Sequence, residues 1–120
     1  MSNRRFPSSV FGVGQEPDAR FSLANERTFL AWNRTALALI AGGVALEAFG
    51  LDLQEGFRLA ASLVLIVAGI AIPITAWWEW MRAERALRTS QPLPGAHTSA
   101  LLVVVVSAVG VLVLVGLLLR

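Results

Sequence analysis

Apolar and polar positions divide the chain into a polar lead, three apolar blocks and two polar connections. The second block, about residues 57–80, holds 20 uncharged residues between Arg58 and Glu79. The third, about residues 100–119, is 20 residues of Val, Leu, Ala, Ser and Gly without a charge. A rise of ~1.5 Å per residue carries such a helix across the ~30 Å hydrocarbon core of a bilayer. The first block, about residues 22–49, is less regular. Its longest uncharged run, Thr35 to Leu46, is 12 residues, or roughly 18 Å of helix. A spanning helix from about Phe29 to Phe49 therefore draws Asn33, Arg34 and Glu47 toward the membrane. The pattern predicts an all-α fold, a three-transmembrane-helix bundle over residues 18–120, with residues 81–99 as a polar connection. Residues 1–17, rich in Gly, Pro and Ser and without the apolar core of a signal peptide, predict a disordered tail.

The first block carries the feature that asks for an explanation. Arg27 and Arg34 are seven residues apart, so they lie about 20° from each other around the helix axis, and Ala31, Ala38, Ala41 and Ala45 fall within about 40° of them. One face is small and cationic. A helix that begins behind Pro17, with Asp18 as its cap, adds Arg20 to the row; a start at Ser22 leaves two arginines. Glu26 and Asn33 lie on a flank roughly 100° away, placed to meet another helix. An arginine at the bilayer centre costs at least ~2.5 to 3.5 kcal/mol, which makes it a candidate for function.

In the second block, Ala61, Ala68 and Thr75 form a row of small side chains beside Ser62, Gly69 and Ala76, a surface that lets helices approach closely in lipid. Pro73 lies inside this helix and predicts a kink. On the third helix, Ser107, Gly110 and Leu114 are the expected packing side, closing the bundle. Trp77, Trp78 and Trp80 at the end of the second helix and Trp32 near the start of the first mark a shared headgroup level. Arginines also cluster at that end: Arg4, Arg5, Arg20 and Arg27 in the amino-terminal part and Arg82, Arg85 and Arg88 in the second connection, against Arg58 and Arg120 at the other. The positive-inside rule then predicts a cytoplasmic amino terminus and an outward carboxyl terminus.

Composition narrows the chemistry. The 120 residues include no cysteine, which removes disulfides and thiolate metal sites, and all ten basic residues are Arg, a bidentate partner for phosphate or carboxylate. The net charge is +2 and the pI is 11.0, so anionic lipid headgroups are expected partners; no dense basic cluster predicts nucleic-acid binding. The single histidine, His97, is expected to be a solvated loop residue. Gly12 and Gly14 lack the strand and third glycine of a phosphate loop, and no nucleophile or metal motif is present. No enzyme activity, metal or cofactor is expected.

The ionisable groups that remain are Arg20, Glu26, Arg27 and Arg34 on the first helix and Glu79 and Arg82 on the second. In one reading Glu26 or Glu79 pairs with an arginine of the adjacent helix, and the other arginines reach lipid phosphates. In the other, Arg27 and Arg34 line a passage between copies of the chain, where rings of arginine favour anions and phosphates.

The segment ANERTFLAWNRTALALIAGGVAL, followed by two further spans and WWEWMRAERALR, resembles the YidH-type inner-membrane family of domain of unknown function 202. The resemblance implies an inner-membrane location. The same domain forms the membrane part of the eukaryotic vacuolar transporter chaperone complex, whose copies surround a polyphosphate channel with basic residues of the first helix facing the pore. Carried over by motif, the resemblance points to Arg27, to Arg20 one heptad earlier, to Glu26 and to Arg82; Arg34 departs from the eukaryotic pattern. It implies a homo-oligomeric anion or polyphosphate conduit lined by the first-helix arginines. The alternative is a non-conducting accessory subunit that binds anionic lipid and another membrane protein.

Overall fold

The computed structural model describes residues 5–95 and 97–120. Its elements are a short α1 (Ser8–Phe11), α2 (Ala19–Ala48), α3 (Glu55–Arg88) and α4 (His97–Leu118), and no strand occurs among the described residues. Three of the helices, α2, α3 and α4, are long and apolar enough to cross a membrane. They stand as a row with α3 in the middle: α2 and α4 each pack against α3, and no Cα of α2 lies within 8 Å of one in α4. The molecule measures 63 × 23 × 21 Å.

The small-residue row of α3 makes the close contacts. Ala61, Ser62, Ala68, Ile72 and Ala76 are all buried. The Ser62 hydroxyl donates to the Gly43 carbonyl at 2.6 Å. A Cβ on Gly69 would stand 2.4 Å from Ile40 Cγ1 and 2.9 Å from the Ala36 carbonyl oxygen. Backbones this close let dispersion contacts accumulate where lipid removes the hydrophobic drive between helices. Proline at position 73 does not interrupt α3, which continues unbroken to Arg88.

The antiparallel contacts also fix depth. Gly43 faces Ser62, Ala36 faces Gly69, Phe29 packs on Trp77 and Asn25 reaches the Trp80 carbonyl. On this register Arg27 is level with the end of α3's uncharged stretch, near Glu79. Arg34 is level with about Ile72, two turns further in, or about 10 Å inside that boundary at ~1.5 Å per residue.

Three details differ from the sequence reading. First, α3 runs beyond Trp80 through the arginines to Arg88, because WWEWMRAERALR contains no breaker and strong helix formers fill it. Only residues 89–96 remain to connect α3 and α4. Second, α4 packs through Thr98, Val105 and Gly116, whereas Ser107, Gly110 and Leu114 are exposed. Gly116 supplies the close approach: a Cβ there would lie 3.1 Å from Phe57 Cβ, while Gly110 has nothing within 4 Å. Third, the lead expected to be a disordered tail is laid against the end of α3 over its described part, Arg5 to Pro17. Residues 1–4 lie outside the described residues.

Candidate functional site

α2 begins where an Asp18 cap would start it. The Asp18 carboxylate accepts the Arg20 amide at 2.9 Å, satisfying one of the free N–H groups of the first turn. Arg20 is therefore helical and joins Arg27 and Arg34 in one row. Its own guanidinium turns back to Asp18 at 2.9 Å, and this contact holds the Asp18 carboxyl below its ordinary value.

The row lies on the side of α2 that faces away from α3. Ala36 and Gly43 are the buried residues of α2, and Arg27 and Arg34 stand about 160 to 180° around the axis from Ala36. Ala31, Ala38 and Ala41 on the same side are exposed as well. Among the described residues, Arg27, Arg34 and Arg82 have neither ion-pair nor hydrogen-bond partner. The opposite end of the molecule is different: Arg58 pairs with Glu47 at 3.4 Å and Arg120 with Asp52 at 3.6 Å.

The carboxylates expected to pair with these arginines are occupied by neutral donors. Glu26 accepts the Trp80 indole N–H at 3.1 Å. Glu79 accepts the backbone N–H of Thr98 at the start of α4, where a helix terminus favours negative charge. The Thr98 hydroxyl, fully buried, donates to the Thr75 hydroxyl at 3.0 Å, and Thr75 passes a bond to the Ile72 carbonyl at 3.1 Å. Glu26 thus joins α2 to α3 and Glu79 joins α4 to α3, and among the described residues Arg27 and Arg34 are left without an internal counter-charge.

Two ionisable residues that the sequence reading leaves in the polar connection, Glu84 and Arg88, are instead buried on α3. Glu84, 3% exposed, accepts Ser22 Oγ at 3.2 Å and Asn25 Nδ2 at 3.3 Å. Arg88, 6% exposed, donates to the Val13 carbonyl at 2.8 Å, the Phe11 carbonyl at 3.0 Å and Glu16 at 3.3 Å. It also stands 5.5 Å from the Phe11 ring. Arg5, bonded to the same Glu16, and then Arg88 hold that carboxyl below its ordinary value. The signal for both was the four-residue spacing Ala76, Trp80, Glu84, Arg88, which puts them on the packed side of α3 once the helix is carried past Trp80.

An aromatic cluster seals this end. Trp77 stacks on Trp80 at 4.9 Å, Phe29 meets Trp77 edge-on at 5.7 Å, and Phe11 covers Trp80 at 6.1 Å. His97 is exposed at the first position of α4. Among the described residues no group of acidic or histidine side chains is placed to hold a metal.

Residues 20–86, the stretch that builds the arginine row and its α3 support, match the family described as Domain of unknown function (DUF202). The chain belongs to the DUF202 family. It is 45% identical over 100 residues to the uncharacterized protein Rv2272 of Mycobacterium tuberculosis, covering 82% of each chain. It is 38% identical over 103 residues to the inner membrane protein YidH of Escherichia coli, covering 85% of this chain and 90% of that one. No solved structure matches it. This DUF202 chain is a small membrane protein with three helices able to span a bilayer, of the same type as an inner-membrane relative.

Proposed function

We propose that the chain assembles with copies of itself in the inner membrane and that the outward face of α2 lines an anion passage where the copies meet. Arg34 carries this reading. It lies about 10 Å inside the boundary of the uncharged layer, opposite the packed side of α2, with no partner among the described residues. Facing lipid it would have to snorkel most of that distance; facing a water-filled seam it meets anions directly. The exposed alanines beside it leave room for another backbone. With the arginine-rich end in the cytoplasm, as the positive-inside rule favours, Arg20, Arg27 and Arg34 step inward at ~10.5 Å intervals. A polyanion such as polyphosphate suits that spacing, and the passage involves no catalysis.

The test is flux in liposomes that contain the purified protein. Chloride or polyphosphate should cross, and Arg34→Ala or Arg27→Ala should lower the rate. Flux equal to that of empty liposomes in every case contradicts the reading. A non-conducting accessory role draws on one observation, the exposed Ser107 and Gly110 face of α4, which leaves space for another membrane helix. Cross-linking in native membranes separates the two, since an accessory subunit would be captured with a different protein.

A further inference from the structure

Where α3 stops, the chain turns back and borders a wide-open, shallow cationic cavity on a different surface from the α2 arginine row. The turn has a defined cause. The Thr89 amide donates to the Arg85 carbonyl at 3.0 Å, the Gln91 amide to the Ala86 carbonyl at 2.9 Å, and Ser90 between them has φ 56°. A left-handed residue between two such bonds is the standard C-terminal cap, a place usually given to glycine. It lays Pro92 and Pro94 along the α3 face that carries Arg82, Arg85 and Thr89. The space left between them is about 220 Å³.

The cavity is charged on one side only. Among the described residues Arg82 has no partner, and the one bond of Arg85 there is a long donation to the Ser9 carbonyl at 3.4 Å. A guanidinium has five N–H donors, so most of this capacity is free. No carboxylate lines the space. The acidic groups on the surrounding elements are engaged elsewhere: Glu79 with Thr98, Glu84 with Ser22 and Asn25, and Glu16 with Arg5 and Arg88. The end of α3 contributes roughly half a negative charge, which opposes an anion there, but two full positive charges outweigh it.

Depth selects the kind of anion. Arg82 lies about one turn beyond Glu79, where the uncharged stretch of α3 ends, or about 5 Å outside the hydrocarbon. Phosphates of lipid headgroups occupy that level. Leu93 on the returning loop and Trp78 on α3, 65% and 59% exposed, add apolar surface suited to the interface at this end of the molecule.

We propose that this cavity binds a phosphate group at the membrane surface, held bidentately by Arg82 and Arg85. The phosphate belongs to an anionic glycerophospholipid or to free phosphate entering from water. Nothing in this depends on conduction along α2. Full-length protein is tested in two arms. In the first, native mass spectrometry from mild detergent compares retention of phosphatidylglycerol and phosphatidylcholine. In the second, calorimetry in phosphatidylcholine nanodiscs titrates inorganic phosphate. Wild type should favour phosphatidylglycerol, or bind inorganic phosphate, by about tenfold over the Arg82→Gln/Arg85→Gln double variant. Signal in the first arm assigns the lipid as source, and signal in the second alone assigns free phosphate. Arg82→Gln by itself, at an exposed and unpartnered position, should give part of the loss with unchanged helix content. Arg120→Gln at the other end should give none. Binding in both arms that is absent from wild type, or equal in wild type and double variant, overturns the proposal.

Discussion

Arg34 and Ala36 are two residues apart on α2 and face opposite ways. Ala36 is 3% exposed, with its carbonyl 2.9 Å from where a Gly69 Cβ would be, whereas Arg34 is exposed about 160° further round the helix. The helix therefore packs its uncharged small side inside its own chain and turns its charged side out, as a water-soluble helix does. In lipid that arrangement is unfavourable for a lone chain, and it is relieved if a second copy or a water-filled seam covers the arginines.

The contact between α2 and α3 depends on the absence of side chains at two positions. Gly43→Val and Gly69→Val should each destabilise the protein by about 1 to 3 kcal/mol, since a Cβ at either meets backbone oxygen and side-chain carbon below 3.0 Å. Gly110→Val, in open space, should be near neutral. Unfolding titrations in mixed detergent would check the order; equal effects at all three sites would refute this packing.

Gly14 decides whether the amino-terminal segment docks. It has φ +61°, and a Cβ there would collide with the Arg88 carbonyl oxygen, whose partner is the Gln15 amide at 2.9 Å. Gly14→Ala should weaken docking by about 1 kcal/mol or more while leaving the three long helices intact. Limited proteolysis should then cut between Phe6 and Pro17 faster than in wild type, with the helical circular dichroism unchanged.

Docking should also weaken in acid, for a reason that can be assigned to one group. The Arg5 and Arg88 guanidiniums lower the Glu16 carboxyl from its ordinary value of 4.5. A lowered carboxylate stabilises the docked form fully above 4.5, and the contribution fades as pH falls through the lower docked value. Phe6 and Phe11 cover Trp77 and Trp80, so tryptophan emission should shift to the red across that window. Glu16→Gln should abolish the step, and a step unchanged in that variant would assign it to another group.

The three spans were legible in the sequence because length and lack of charge decide them, and the small-residue row of α3 because membrane packing rewards close approach. The Arg27 and Arg34 row followed from helix periodicity, and Asp18 at the cap brought Arg20 into it. What periodicity could not supply was the partner of each carboxylate. Glu26 and Glu79 were expected to meet arginine and instead take an indole and a backbone N–H, because Trp80 and Thr98 come within reach only after three helices assemble. Glu84 and Arg88 were hidden by their charge, which reads as a solvated connection until α3 is known to continue. The packing side of α4 differs from the expected one because its composition is almost uniform, and the fit of Gly116 against Phe57 and the bonds of Thr98 to Glu79 and Thr75 select one side.

The measurement that bears most directly on the central claim uses the absence of native cysteine. In lipid membranes, Ala38→Cys on the arginine side of α2 and Val104→Cys on the exposed side of α4, both within the uncharged layer, are treated with an anionic, water-borne thiosulfonate. A seam lined by arginine predicts rapid modification at position 38, slowed by Arg34→Gln, and none at position 104. Equal protection of both sites, with Arg34→Gln changing nothing, would place the arginine side against lipid and contradict the account.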